Sequence, residues 1–376
     1  MITKLAALTC TVVVAFTLRA LPTQRHVQLV TVEKLKQVLA ASNKADAALS
    51  QILSDLKLTE RLSAANLATL ENDLLGPQSR LALTALADES AFLNLPAAEI
   101  PDAPPPDSTE QAAMLATMQH YVGTVVPALP NFFARRTTRH FRGTSLLSPP
   151  YKAVPRLGSD EYHPFVTLET THAQAYNLKD RELDEADKKD QQAAETSMNS
   201  SGEFGAILTH VANCADQNKA TWKEWEQGQT GLLAVFLYEC TESESATDGA
   251  GAPRGSPATM TISGEIAFDP HDGTIMRLTR ISRGKVDWFL HKGALWERAI
   301  MVEYLPQEID GHSYVCPVKS VVMYPMPPYS QQDKDIEEGR TYYLPVDEFL
   351  NDVYFDQYHL FKAKAQMLPG YTPQPH

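Results

Sequence analysis

Acids and histidines able to do acid–base chemistry cluster in the turns of the C-terminal half. Asp269-Pro270-His271-Asp272-Gly273 places two carboxylates and an imidazole within five positions. Glu303 and His312 add one more of each further along. General acid–base catalysis needs such groups within hydrogen-bond reach, roughly 3 Å, of one proton. An enzyme whose site is assembled from Asp269, His271, Glu303 and His312 is therefore one reading of the chain. Asp269 and Asp272 also suggest a cation-binding turn. Asp and Gly are equally what a tight turn uses, and an EF-hand loop would need ligands continuing to a terminal Glu.

Two other clusters stand out. Trp222-Lys223-Glu224-Trp225-Glu226-Gln227-Gly228 sets two indoles among acidic neighbours, a composition that suits a sugar- or peptide-binding surface. Trp222 and Trp225 are three apart, so one helical turn would direct both to a core, and core packing is the expectation. Arg135, Arg136, Arg139, His140 and Arg142 form the one basic cluster. On a strand, Arg135 and Arg139 share one face while Arg136, His140 and Arg142 share the other. That split favours a solvated strand with local acidic partners over an anion site.

The motifs of common catalytic and nucleotide-binding sites are missing. There is no G-x-x-x-x-G-K-[ST], no strand-linked G-x-G-x-x-G, no G-x-S-x-G and no H-E-x-x-H. The histidines His120, His140, His163, His172, His210 and His271 never fall at helical ligand spacing from one another. No Cys-x-x-Cys occurs. Accordingly no catalytic, cofactor-binding or metal residue is assigned, and no cofactor is expected. The cysteines are Cys10, Cys214, Cys240 and Cys316. Leaving out Cys10, three remain: one disulfide with one free thiol, or three buried thiols acting as small apolar residues.

The elements that must position these groups follow from periodicity. Residues 31–95 read as short amphipathic helices, with Thr31 capping Leu35, Val38 and Leu39, and Asn43 capping Leu49, Ile52, Leu53 and Leu56. Ser63 precedes Leu67, Leu70 and Leu74, and Gly76-Pro77 opens a further helix through Leu81, Leu86 and Phe92. Prolines over 96–108 form a linker. Ser108 and Gln111 then make a capping-box pattern ahead of a helix burying Met114, Leu115, Met118, Tyr121, Val122 and Val125. From about 131 the pattern turns to strands: 132–141, 165–168, the stretch around Tyr176, 232–238, 260–268, 274–281, 299–304, 314–324 and 353–361. Turns at 269–273 and 308–312 make two hairpins. Segments near 180–201 and 241–258 read as mobile. The expected fold class is α+β: a small N-terminal helical domain (31–95), then an antiparallel β-meander domain (109–365), half-barrel-like and packed on a helix.

The segments Leu58 to Ser63 (LTERLS), Ala87 to Leu93 (ADESAFL), Leu129 to Arg136 (LPNFFARR), Ser201 to Leu208 (SGEFGAIL) and Trp222 to Gly231 (WKEWEQGQTG) resemble a family of uncharacterised exported proteins frequent in acidobacteria. The Gly264 to Leu278 hairpin and the Val302 to Val318 stretch resemble it too. The resemblance implies export and carries no catalytic residue. By strand order alone, the helix and meander are similar to the periplasmic half-barrels of LolA and RseB type.

The N-terminus agrees with export. Met1 to Lys4 is a short basic start, and Leu5 to Leu18 runs without a charge before Arg19, as in a secretory signal over residues 1–22. The run is shorter than the about 20 apolar residues of a membrane span. No clean Ala-x-Ala follows it, so retention at the inner membrane by an uncleaved segment stays open beside a periplasmic or extracellular product. With a net charge of −13, the chain would repel nucleic acid and anionic membrane surfaces; membrane contact is expected to be transient and through the N-terminal segment. The leading functional expectation is an exported, non-catalytic protein binding an apolar ligand or a protein partner in the cell envelope. The alternatives are the scattered-residue enzyme and a structural scaffold docking through the helical domain.

Overall fold

A computed structural model describes residues 28–42, 44–72, 76–130, 132–148, 152–153, 165–176, 203, 205–216, 220–229, 231–245, 257–288, 291–326 and 344–360. The N-terminal unit contains strand β1 (Gln28–Val30), helices α1 (Val32–Ala40) and α2 (Asp46–Ser54), strand β2 (Leu56–Leu58), and helices α3 (Ala64–Asn72) and α4 (Pro77–Glu89). Thr31 caps α1 as its sequence position implies, its hydroxyl accepting from the Lys34 amide at 3.2 Å. Ser63 likewise begins α3, its carbonyl accepting from Leu67 N. Two expectations shift. Leu56 does not extend α2; it opens β2, which pairs in parallel with β1 and buries Leu56 and Leu58. Ala45, not Asn43, precedes α2; Asn43, Leu74 and residues 1–27 lie outside the described residues.

Helix α5 (Ser108–His120) is capped one residue earlier than expected. Asp107 accepts from the amides of Thr109 and Glu110, and Glu110 accepts from the Asp107 amide at 2.9 Å. A carboxylate at the cap also complements the helix dipole, which a serine one position later would not. A π-helical stretch (Tyr121–Val125) leads into α6 (Val126–Ala128). The wider turn advances the register by one, so Val126 is buried and Val125 is exposed at 43%.

The remaining elements are β3 (Phe132–Ser148), β4 (Lys152–Ala153), β5 (Phe165–Tyr176), α7 (Ala206–Asp216), β6 (Thr221–Gln227), β7 (Leu232–Ser245), β8 (Pro257–Phe268), β9 (Ile275–Trp288), β10 (His291–Ile309), β11 (His312–Met326) and β12 (Leu344–Leu360). One sheet runs β4-β3-β12-β11-β10-β9-β8-β7-β6, with β5 also on β3. All its pairings are antiparallel, and β12 lies inside the sheet between β11 and β3 rather than closing it. The α+β class is as the sequence implies. Strands run further than periodicity reached: residues 241–245 and 257–258 belong to the β7–β8 hairpin, while 180–201 and 246–256 fall outside the described residues. The hairpin turns are as expected, Gly273 and Gly311 taking φ of +77° and +80°.

Each face of the sheet is covered. On one face, α5, the π-helical stretch and α7 bury Met118, Tyr121, Val122, Ile207 and Val211 against Phe236, Ile262, Phe268, Leu278 and Val302. Side chains fill this face. On the other, Ala85, Ala91 and Phe92 pack against Phe141, Met301, Val321 and Leu350. The N-terminal unit is thus a third layer. The proline linker carries the chain from one layer to the other past the edge strand β6, where the Trp225 indole donates to the Pro104 carbonyl at 2.9 Å.

Candidate functional site

The face beneath the N-terminal unit holds two buried charge clusters with a cleft beside one of them. The first cluster depends on two β-bulges. In β6, Trp222 faces Phe236 and Glu224 faces Val235, so Lys223 is the extra residue. In β9, Arg277 faces Ala267 and Ile275 faces Phe268, so Met276 is extra. Each bulge reverses the alternation. Glu224 and Glu226 of β6 and Arg277 of β9 therefore join Glu265 of β8 on one face. Arg61, from the segment between β2 and α3, reaches down onto them.

The Arg277 and Arg61 guanidiniums both donate to Glu226 Oε2, at 2.6 and 2.7 Å. Arg277 also donates to Glu265 at 3.2 Å, and Lys223 bonds Glu265 and sits 3.2 Å from Glu224. Burial pushes the Glu226 carboxyl up, but Arg277 and Arg61 outweigh burial and hold it down at about 2. Glu265 is lowered in the same way, by Arg277 and Lys223 against burial. Three cations thus neutralise three carboxylates. Such a network costs desolvation to form, and breaking it by removing one member leaves a buried charge.

The second cluster lies under α4. Asp88 approaches Lys319 of β11 at 2.5 Å. Lys319 is 3.8 Å from Asp352 of β12, and Arg139 of β3 is 3.6 Å from it. Arg139 and Lys319 also lie over the Tyr354 ring. Two buried carboxyls share this space. Burial raises the Asp352 carboxyl to about 8, and the neighbouring Asp88 adds to the rise against Lys319 and Arg139. Burial raises Asp88 as well. Burial thus favours the protonated form of both carboxyls, and at Asp352 the like charge of Asp88 adds to it.

The cleft, about 360 Å³, opens beside the first cluster. Phe92 forms one wall, and Leu237, Glu239, Ser263, Glu265, Thr279 and Ile281 of β7–β9 line the rest with Thr221. Leu237 is one of three exposed large hydrophobic residues among those described. Glu239 is exposed and has no ion-pair partner among the described residues.

Of the sequence-derived candidates, Glu303 and His312 lie apart. Asp269 and Asp272 shape their own turn, accepting from the amides of His271 (2.8 Å) and Thr274 (2.9 Å). Glu303 lies mid-strand opposite Lys319, whereas His312 opens β11 opposite Ile309. At about 3.3 Å per residue that separates their backbones by roughly 20 Å. Glu303 and His312 therefore do not share one site. Trp222 and Trp225 lie on a strand, not a helix, yet both pack on the core, their rings 4.9 Å apart. The bulge at Lys223 gives a three-residue spacing one face, which a regular strand forbids. The arginine faces are as read: Arg135 pairs Asp356 and Arg139 pairs Asp352, while Arg136 on the opposite face meets Glu203 at 3.9 Å. Arg136 is buried rather than solvated, lying over the Phe355 ring and against Glu203. Cys214 and Cys240 form a disulfide, and Cys316 is a buried free thiol.

Fold and site together define a three-layer α+β protein with an internally neutralised charge clamp and a cleft at the clamp's side. Comparison with family models, with curated proteins and with solved structures finds no match to this chain.

Proposed function

We propose that the chain is a non-catalytic binding protein of the cell envelope, and that its ligand is an apolar group bearing a cationic end. The cleft beside Phe92 carries this reading. Its volume lies in the range of small-ligand sites, its walls include Phe92, Leu237 and Ile281, and Glu239 offers an unneutralised charge. The clamp next to it balances three cations against three carboxylates and supplies rigidity to the wall. Two features support export: the basic start with its uncharged run over Leu5 to Leu18, and the Cys214–Cys240 disulfide, which suits an oxidising compartment.

The test is titration of the purified chain with a dansylated alkylamine and with a dansylated alkanoate of equal length. Saturable binding with preference for the amine is expected. Leu237→Asp should abolish it, and Glu239→Gln should remove the preference. If neither probe saturates, the reading fails. A scaffold role is the second reading, favoured by the filled face under α5 and α7. It would replace ligand binding if the probes fail while a partner is captured through the N-terminal layer.

A further inference from the structure

Helix α7 and strand β7 bring three metal-ligand side chains together. His210 and Cys214 are four apart on α7, so they share one helical face. Cys240 meets them from β7. The imidazole nitrogen and the two sulfurs all lie within 4.8 Å of one another, and Cys214 Sγ is 3.8 Å from His210 Nε2. Both cysteines are buried, whereas His210 is half-exposed and gives the corner a route to solvent. Among the described residues no other such group of donors occurs.

We propose that reducing the Cys214–Cys240 disulfide converts this corner into a binding site for one zinc-class divalent cation, held by two thiolates and the His210 imidazole with a fourth position open to water. Two thiolates and one imidazole form a donor set that zinc accepts. With Zn–S of about 2.3 Å and Zn–N of about 2.0 Å, tetrahedral donors stand roughly 3.5–3.8 Å apart. The His210 imidazole already stands at that separation from Cys214 Sγ, and the two sulfurs need to part. The chemistry balances. A dithiol reductant delivers two electrons and two protons to the disulfide and becomes a disulfide itself, leaving two thiols. The cation then displaces both thiol protons to solvent as it binds. The oxidised chain has no thiolate to offer, so redox state gates the site.

The experiment uses the full chain carrying Cys10→Ser and Cys316→Ser, reduced under argon, freed of reductant and titrated with Co2+. Thiolate-to-cobalt charge transfer and tetrahedral d–d bands should saturate at one equivalent, and the oxidised chain should show neither. His210→Ala should weaken binding by at least about 10-fold, since even loss of an outer-shell contact to a ligand costs that much. Cys214→Ser should remove the charge-transfer band. Absence of the bands in a reduced chain that keeps its far-ultraviolet circular dichroism would overturn the proposal, as would bands undiminished in His210→Ala. If reduction unfolds the chain, Zn2+ must restore the native spectrum; failure to do so would also overturn it.

Discussion

Arg277 shows what a single side chain does here. It is buried, and Glu226 and Glu265 together raise its basicity against the effect of burial. Arg277→Met should destabilise the chain by about 3–5 kcal/mol, because two carboxylates lose the donor between them; urea unfolding measures it. Asp352 and Glu226 make opposite pH contributions. The Asp352 carboxyl is raised from 3.8 to about 8. Its stabilisation is fully present below the unfolded value, declines across that window and is gone above about 8. Glu226 is lowered from 4.5 to about 2. Its stabilisation is present above 4.5 and is lost as pH falls through about 2. Thermal unfolding followed from pH 2 to 9 should therefore show two limbs. Asp352→Asn should flatten the one between pH 4 and 8, and Glu226→Gln the acid one. An Asp352→Asn profile that keeps its decline would assign that limb to another group.

Among the elements, the bulges and turns decide which residues meet. Gly273 and Gly311 both sit at positive φ, but their surroundings differ. A Cβ on Gly273 would come within 2.4 Å of the Thr117 carbonyl oxygen on α5, whereas a Cβ on Gly311 meets nothing within 4 Å. Gly311→Ala should cost only the backbone term, about 1–2 kcal/mol. Gly273→Ala should cost more, because the β8–β9 turn must also part from α5. Denaturant midpoints of the two variants test the order; equal losses would mean the turn does not depend on that contact. The bulges explain why the charge clamp was not legible in the sequence. Strict alternation puts Arg277 on the face opposite Glu265, and only the extra Met276 brings them together. The π-helical stretch did the same to Val125 and Val126, moving the buried position by one.

At the scale of the whole molecule, the N-terminal unit packs as a layer on the sheet, since Arg61 and Asp88 are buried in pairs with the sheet's own charges. Deleting residues 31–95 would therefore uncover Glu226, Lys319 and Asp352 as well as an apolar face, and should yield an aggregating product rather than a folded meander; size-exclusion chromatography distinguishes the two. Sequencing the mature N-terminus tests export: a start near residue 21 to 25 means a cleaved signal, and an intact Met1 means a retained segment or no export. What the sequence determined by itself were the features whose causes are local. These are the α+β class, the cap at Thr31, the start of α3 after Ser63, the Gly273 and Gly311 turns, and the face-splitting of Arg135 and Arg139 from Arg136 on β3. Each depends on residues a few positions apart, where periodicity and backbone chemistry act directly. Only the tertiary structure decided the pairing of Cys214 with Cys240, the meeting of Arg61 with Glu226, the burial of Asp88 and Asp352 around Lys319, and the separation of Glu303 from His312. Those partners are far apart in the chain, and strand order, bulges and layer packing fix their distances, none of which a local pattern encodes.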